Sequence, residues 1–390
     1  YSPFIPLMDK IAGYKVVNLP PSDNASADLG LIYANNEICY PATLVVGDII
    51  KALKSKTYNP DDTAVAITQT GGQCRATNYL SLIKRALAHA GYGHIPVIAI
   101  TSPGSLYNEQ PGFTLDWKKL VLPAFYGLMF ADSLARLYYG TVSRAKHKPD
   151  AELLKNKYIS RAITLIEKKN YRSLSSLLRE AVDDFNYLEV ITEDIPTVGI
   201  VGEIYIKYNA FGQYNIINWL IENRVEVVVP PLFEFMIQAF INGRVMKNSH
   251  IANSSGMNLV SRFLEWESEH HIRNYEKLLS RFRFYRPVVP IRITSEYASE
   301  VVSLMNQYGE GWLIPGEIAS FARQNIIDII CMQPFGCIAN HIVGKGIEKK
   351  MKEKYPHLNL LSLDFDQGTS KVNLLNRLHF LIQNQENFVH

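Results

Sequence analysis

Ala64-Val65-Ala66-Ile67-Thr68, the helical pattern Asn78 to Ala90, and Val97-Ile98-Ala99-Ile100 follow one another, and their reading decides the fold class. Short apolar runs rich in β-branched residues read as buried strands, and a helical segment between two of them reads as a βαβ crossover. Parallel strands need such crossovers, so the expectation is a parallel sheet covered by helices. Upstream, Tyr14 to Leu19 reads as a further strand and Thr43 to Leu53 as a helix. From Leu115 to about Asp194 strand signals vanish and helices succeed one another, broken by a polar stretch at His147 to Asp150. Strand grammar resumes after Ile195-Pro196 with Thr197 to Val201, Glu226 to Val229, Ile326 to Ile330 and Leu358 to Leu363. The expected organisation is an N-terminal α/β domain over 1–114, a helical connector over 115–195, and a C-terminal α/β domain over 196–390. A helical insertion is expected within the last, at about 232–284.

A chain of 390 residues is long enough for two or three cores. Its 4 cysteines are too few for a disulfide scaffold, which points to a reducing, cytoplasmic compartment. Forty Lys and Arg against 37 Asp and Glu leave a net charge of +3, and no nucleic-acid partner is expected. The basic, aromatic Arg281-Phe282-Arg283-Phe284-Tyr285-Arg286 reads either as an anion-binding edge or as a solvated helix end. The most apolar run, Leu120 to Ala131, stops at Asp132, well short of the roughly 20 residues of a spanning helix, so no membrane anchor is expected. The start at Tyr1-Ser2-Pro3, without an initiator Met or signal pattern, reads as a piece of a longer polypeptide. Neither a Walker A loop nor a G-x-G-x-x-G turn occurs, and Gly344-Lys345-Gly346 lies in or beside a helix. Any ATP use therefore falls to another polypeptide or segment.

Ligands of parallel α/β sheets gather beyond the carboxyl ends of the strands. All four cysteines fall near such places. Cys39 precedes a helix that Pro41 is suited to open. Cys74 follows a strand in Thr70-Gly71-Gly72-Gln73-Cys74-Arg75, Cys331 ends the strand Ile326 to Ile330, and Cys337 follows in Gln333-Pro334-Phe335-Gly336-Cys337. A helix N-terminus favours thiolate, the form that binds metals. Each could equally be a small buried hydrophobe. With no C-x-x-C pair, any metal site must be assembled from turns far apart in sequence. Two further residues are candidates for proton transfer: Glu310, bracketed by Gly309 and Gly311, and His341, after Cys337. Glu203, after the strand Thr197 to Val201, is placed like Glu310.

Several of these segments resemble the 2-hydroxyacyl-CoA dehydratase and benzoyl-CoA reductase group of iron–sulfur proteins. The likeness extends in particular to the C-terminal part of the large fusion proteins called activator of 2-hydroxyglutaryl-CoA dehydratase. It is carried by residues 36–42, Gln69-Thr70-Gly71-Gly72-Gln73-Cys74-Arg75-Ala76-Thr77-Asn78-Tyr79, Val201-Gly202-Glu203-Ile204, Gly309-Glu310-Gly311-Trp312, residues 331–337 and Asp364-Phe365-Asp366, in the group's order. The resemblance implies two flavodoxin-like parallel-sheet domains clasping a [4Fe-4S] cluster on Cys39, Cys74 and Cys337. Cys331 is then a fourth ligand or the buried end of a strand. It also implies an ATP-hydrolysing reductase or activase partner, fused upstream in those proteins, that delivers low-potential single electrons. The acceptor would be an acyl-CoA or another small substrate, the outcome a lyase or oxidoreductase reaction. Ala339 departs from the group's frequent proline, and a double-cubane branch needs about six cysteines where this chain has 4. Three functions remain in view: a redox enzyme component, an electron-transfer or regulatory module without its own substrate, and a cluster-free α/β interaction scaffold. The oligomeric state stays open between monomer and dimer.

Overall fold

A computed structural model describes the whole chain except residues 6, 8–12, 36, 69–73, 101–116, 252–258 and 387–390. The chain is α/β, and both sheets found among the described residues are purely parallel. Helices α1 (Asn24–Tyr33) and α2 (Tyr40–Lys54) come first. Asp23 and Ser26 cap α1 reciprocally, each side chain bonding the other's backbone N–H. The two helices cross in near contact because of Gly47, where a Cβ would lie 1.7 Å from the Ser26 carbonyl oxygen. Strand β1 (Val65–Thr68), helix α3 (Tyr79–His89) and strand β2 (Val97–Ile100) form the βαβ unit, paired from Val65 opposite Val97 to Thr68 opposite Ile100.

Tyr14 to Leu19 is not a strand, contrary to expectation. Lys15 and Asn18 interrupt the apolar run and Pro20 and Pro21 end it, so it cannot bury both faces. Tyr14, Val17 and Leu19 are exposed, and the Asn18 amide donates to the Ser2 carbonyl at 2.7 Å.

Three helices follow: α4 (Trp117–Val142), α5 (Lys148–Glu167) and α6 (Arg172–Tyr187). The start of the expected connector, residues 115 and 116, lies outside the described residues. Helix α4 does not stop at Asp132, because that buried carboxylate accepts the N–H groups of Leu232 and Phe233, both at 2.9 Å. Its stretch Lys119–Val142 is long and apolar enough to cross a membrane, but 56% of the apolar window is buried within the protein. Phe130, Leu134 and Leu137 form part of the main core together with Leu44 of α2.

The larger sheet comprises β3 (Thr197–Gly202), β4 (Glu226–Val228), β5 (Asp328–Pro334) and β6 (Asn359–Phe365), in the order β4-β3-β5-β6. Between β3 and β4 lie the short helices α7 (Ile204–Tyr208) and α8 (Ile216–Glu222). Between β4 and β5 lie α9 (Leu232–Asn248), α10 (Leu259–Leu279), α11 (Ile291–Ser299) and α12 (Leu313–Arg323). A π-helical stretch (Ala339–Lys345) and α13 (Glu348–Lys354) lead to β6, and α14 (Lys371–Glu386) closes the chain. Strand β5 runs past Cys331 to Pro334, so Cys331 is in mid-strand rather than at a strand end. It pairs there with Val201 on one side and Ser362 on the other. The strand can continue because Pro334, which lacks an N–H, occupies its last position.

The basic run after α10 is consumed internally. Arg281 pairs with Asp183 at 3.1 Å, Arg283 donates to the Leu188 carbonyl at 2.5 Å, and Arg286 pairs with Glu226 at 2.6 Å.

Candidate functional site

Three of the four cysteines stand where a turn opens a helix. Cys39 precedes α2, whose first turn contains Pro41. Cys74 caps a single 3-10 turn (Arg75–Asn78) that runs into α3, and its Sγ accepts the Ala76 N–H at 3.5 Å. Cys337 follows Gly336 just beyond β5 and precedes the π-helical stretch.

These turns meet. The Tyr40 N–H donates to the Phe335 carbonyl at 3.0 Å, and a Cβ on Gly336 would lie 3.2 Å from the Cys39 Cα. That joins the Cys39 turn to the Cys337 turn. The Cys39 Sγ and the Tyr79 hydroxyl are 3.2 Å apart, and Arg75 donates to the Glu37 carbonyl at 2.8 Å, which brings in the Cys74 turn. The turn at Gly309 closes the group: a Cβ there would lie 3.8 Å from the Cys74 Sγ and 3.6 Å from the Ala339 Cβ. Its neighbour must be glycine, since Gly311 has φ of 43° and a Cβ would sit 2.1 Å from the Asn306 carbonyl oxygen. Trp312, fully buried, anchors that turn through a 2.7 Å bond from its indole N–H to Asn242.

Two glutamates line the same place. Glu310 is buried, and its Oε1 accepts the Ile204 N–H at 2.7 Å. Glu203 caps α7, its Oε2 accepting the Ile206 N–H at 2.8 Å. Burial raises the Glu310 carboxyl. Burial first, and then the charge of Glu310, raise Glu203, so the pair takes up a proton more readily than a free carboxyl does. The thiols are raised as well. Burial pushes Cys74 to about 11, with Glu310, Cys39 and Glu203 adding to the rise, and Cys39 and Cys337 are driven up chiefly by burial.

Of the residues singled out in the sequence, Cys39, Cys74, Cys337 and Glu310 thus come to one place. Cys331 is fully buried within β5, pushed up to about 12 by burial, and separated from Cys337 by the Gln333 and Asn340 side chains. His341 is exposed on the π-helical stretch, its backbone N–H bonded to the Cys337 carbonyl at 3.1 Å. Of the glycine turn before Cys74, residues 69–73 lie outside the described residues. Sequence reasoning passed over Tyr79 and Asn340, whose polar atoms lie 3.2 Å from the sulfurs of Cys39 and Cys337. Both stand within a few residues of a cysteine, a spacing that invites inspection of every nearby donor. It also missed Lys207, one helical turn after Glu203, which is buried and 3.7 Å from Glu317.

Among the described residues no group of three or more His, Cys, Asp or Glu could hold a single metal ion. One ion needs thiolates converging at about 2.3 Å, whereas a multi-iron cluster spreads its ligands further apart. The arrangement fits the latter. Three thiols converge from separate turns, and N–H groups of Ala76 and Asn340 already donate to two of the sulfurs, as thiolate ligands require. Compared with models of known protein families and with curated proteins, the chain gives no match.

Proposed function

We propose that this chain is an iron–sulfur protein of the 2-hydroxyacyl-CoA dehydratase and benzoyl-CoA reductase kind, with Cys39, Cys74 and Cys337 as the thiolates of a four-iron cluster. The observation that carries the reading is the convergence of three cysteine-bearing turns with the buried Glu310 and the half-buried Glu203. On this reading the two parallel sheets belong to two flavodoxin-like domains clasping the cluster in a cytoplasmic protein. An ATP-hydrolysing reductase supplies single electrons, and an acyl-CoA or other small molecule is the substrate. When bound, the cluster supplies low-potential electrons and, with three protein ligands, one iron open to a substrate oxygen.

The chain's own residues handle orientation and protons. Glu203, raised by burial and then by the charge of Glu310, can hold a proton and donate it to a leaving oxygen. The Asn340 amide at 3.2 Å and the Ala76 N–H at 3.5 Å hold the Cys337 and Cys74 sulfurs in place.

Anaerobic reconstitution with iron and sulfide tests the reading. The expected result is about four irons per chain and the visible and EPR spectra of a cubane, with loss of both in the Cys39→Ser, Cys74→Ser and Cys337→Ser variants. Iron uptake no greater than that of the triple variant would overturn it. The purified chain alone is expected to hydrolyse no ATP, since it carries no Walker A loop. Turnover abolished by a substitution within the chain would contradict that expectation.

A further inference from the structure

We propose that a second cavity, behind the larger sheet and apart from the cysteines, binds a small primary ammonium compound, one –NH3+ head carrying a short apolar tail. The cavity measures about 90 Å³ and is lined by Asp132, Glu234 and Glu317, with aromatic walls from Tyr139, Phe282 and Phe321. By volume it holds about three waters or a cation of about three or four heavy atoms.

Its acceptors are unevenly satisfied. Asp132 is engaged by the N–H groups of Leu232 and Phe233 and by the Tyr1 hydroxyl. The other lining charges pair with each other or with neighbours: Arg286 with Glu226 at 2.6 Å, Arg136 with Glu276, and the partly buried Tyr1 amino group interacts with Asp132. Glu317, only 4% exposed, has one oxygen 3.7 Å from the Lys207 ammonium, while its Oε2 has no hydrogen-bond partner. Glu234, 7% exposed, makes no side-chain hydrogen bond or ion pair with any described residue. One fully enclosed carboxylate oxygen, Oε2 of Glu317, is thus left without a donor, beside the Glu234 carboxyl.

The interior around them is one-sided in charge. Glu203, Glu310, Glu317, Glu234 and Asp132 are all deeply placed, and Lys207 is the sole buried lysine or arginine among the described residues. Buried carboxylates without a cation are costly and take up protons instead. Burial, then the charge of Glu317, raises Glu234 well above the ordinary range, and burial raises Glu317 to about 7. An ammonium group has donors and no acceptor, which suits a space holding the donorless Glu317 oxygen beside a second carboxyl, and aromatic faces favour a cation beside them. A metal ion fits less well, since no group of three donors among the described residues could hold one.

Calorimetric titration of the full chain with ethylammonium chloride tests the proposal, with potassium chloride and tetramethylammonium chloride at equal ionic strength as controls. Saturable binding is expected for ethylammonium alone, since potassium has no N–H donors and tetramethylammonium has neither donors nor room. Glu234→Gln and Glu317→Gln should each weaken binding about tenfold or more, as loss of a charge-assisted bond does. Ala135→Leu, which fills the cavity without changing its charge, should abolish binding. Near-UV circular dichroism identifies which variants keep the native packing, and any one of the three that does so decides. No saturable heat with ethylammonium would overturn the proposal. So would an equal response to potassium, or unchanged affinity in a folded variant.

Discussion

On the proposed function, Glu310 is the residue on which proton transfer would turn. Its Oε1 accepts the Ile204 N–H at 2.7 Å, a bond that the amide oxygen of glutamine can also accept. Glu310→Gln should therefore leave the fold and any cluster spectrum intact while removing the charge that raises Glu203. If the proposed function holds, substrate turnover supported by an ATP-hydrolysing reductase should fall by about a hundredfold or more, the usual scale for losing acid–base assistance. Full turnover in that variant would reduce the Gly-Glu-Gly segment to a structural turn. Tyr79 offers a contrasting test at the same scale. Its hydroxyl lies 3.2 Å from the Cys39 sulfur, so Tyr79→Phe should shift the potential of a bound cluster while leaving iron content unchanged. Redox titration of the reconstituted protein measures that shift, and an unaltered potential would mean the contact does not persist when the sulfur is a ligand.

At the scale of the element, two close fits hold the helices that carry the site. Cys39 caps helix α2, and the middle of that helix is held by the crossing with α1 at Gly47. A methyl group 1.7 Å from the Ser26 carbonyl oxygen has no rotamer in which to escape, so Gly47→Ala must part the helices. The expected cost is about 3 kcal/mol, read as a lower urea midpoint, with reduced iron uptake because Cys39 moves with the helix. Helix α9 depends on Asp132, which takes the first two helical N–H groups from a position 100 residues upstream. Asp132→Ala leaves both donors buried without partners and should cost about 2–3 kcal/mol. Chemical denaturation measures that loss directly, and a change below about 0.5 kcal/mol would place those amides in contact with water instead.

For the whole molecule, buried carboxyls of opposite behaviour shape stability against pH. Burial alone would raise Glu226, but hydrogen bonds from Arg286 and the charge of Arg144 outweigh it and hold the carboxyl below its ordinary value. A depressed native value means the unfolded chain binds the proton more readily, so this stability is present above about pH 4.3 and lost as pH falls through the native value. Burial raises Asp132 to about 6 and Glu317 to about 7. There the native state binds more protons, so their contribution is present at low pH and fades as pH rises from about 4 to about 7. The melting temperature should therefore peak near about pH 5. Glu226→Gln should flatten the acid limb and cost about 2–3 kcal/mol near neutrality, less than for a fully enclosed pair because Arg286 is 35% exposed. Glu317→Gln should flatten the opposite limb. Scanning calorimetry from pH 3 to 8 measures both, and parallel curves for the variants and the parent would exclude these groups as the cause.

The sequence by itself determined the α/β class, the βαβ unit at 65–100 and the four strands of the second sheet. In each, a β-branched run framed by turn residues permits little else. It also placed all four cysteines and Glu310 near loops or strand ends, which holds for Cys39, Cys74, Cys337 and Glu310, because Pro41, Gly336 and the glycines around Glu310 constrain the backbone locally. What it misplaced were features decided at a distance. Tyr14 to Leu19 has strand-like composition but stays exposed without strand pairing, and Cys331 became mid-strand because β6 offers pairing as far as Phe365. The meeting of Cys39, Cys74, Cys337, Glu203 and Glu310 joins turns far apart in sequence, Tyr40 to Phe335 among them, and was decided by tertiary structure. So was the unpartnered Oε2 of Glu317, since hydrogen-bond satisfaction is a property of neighbours that no local pattern encodes.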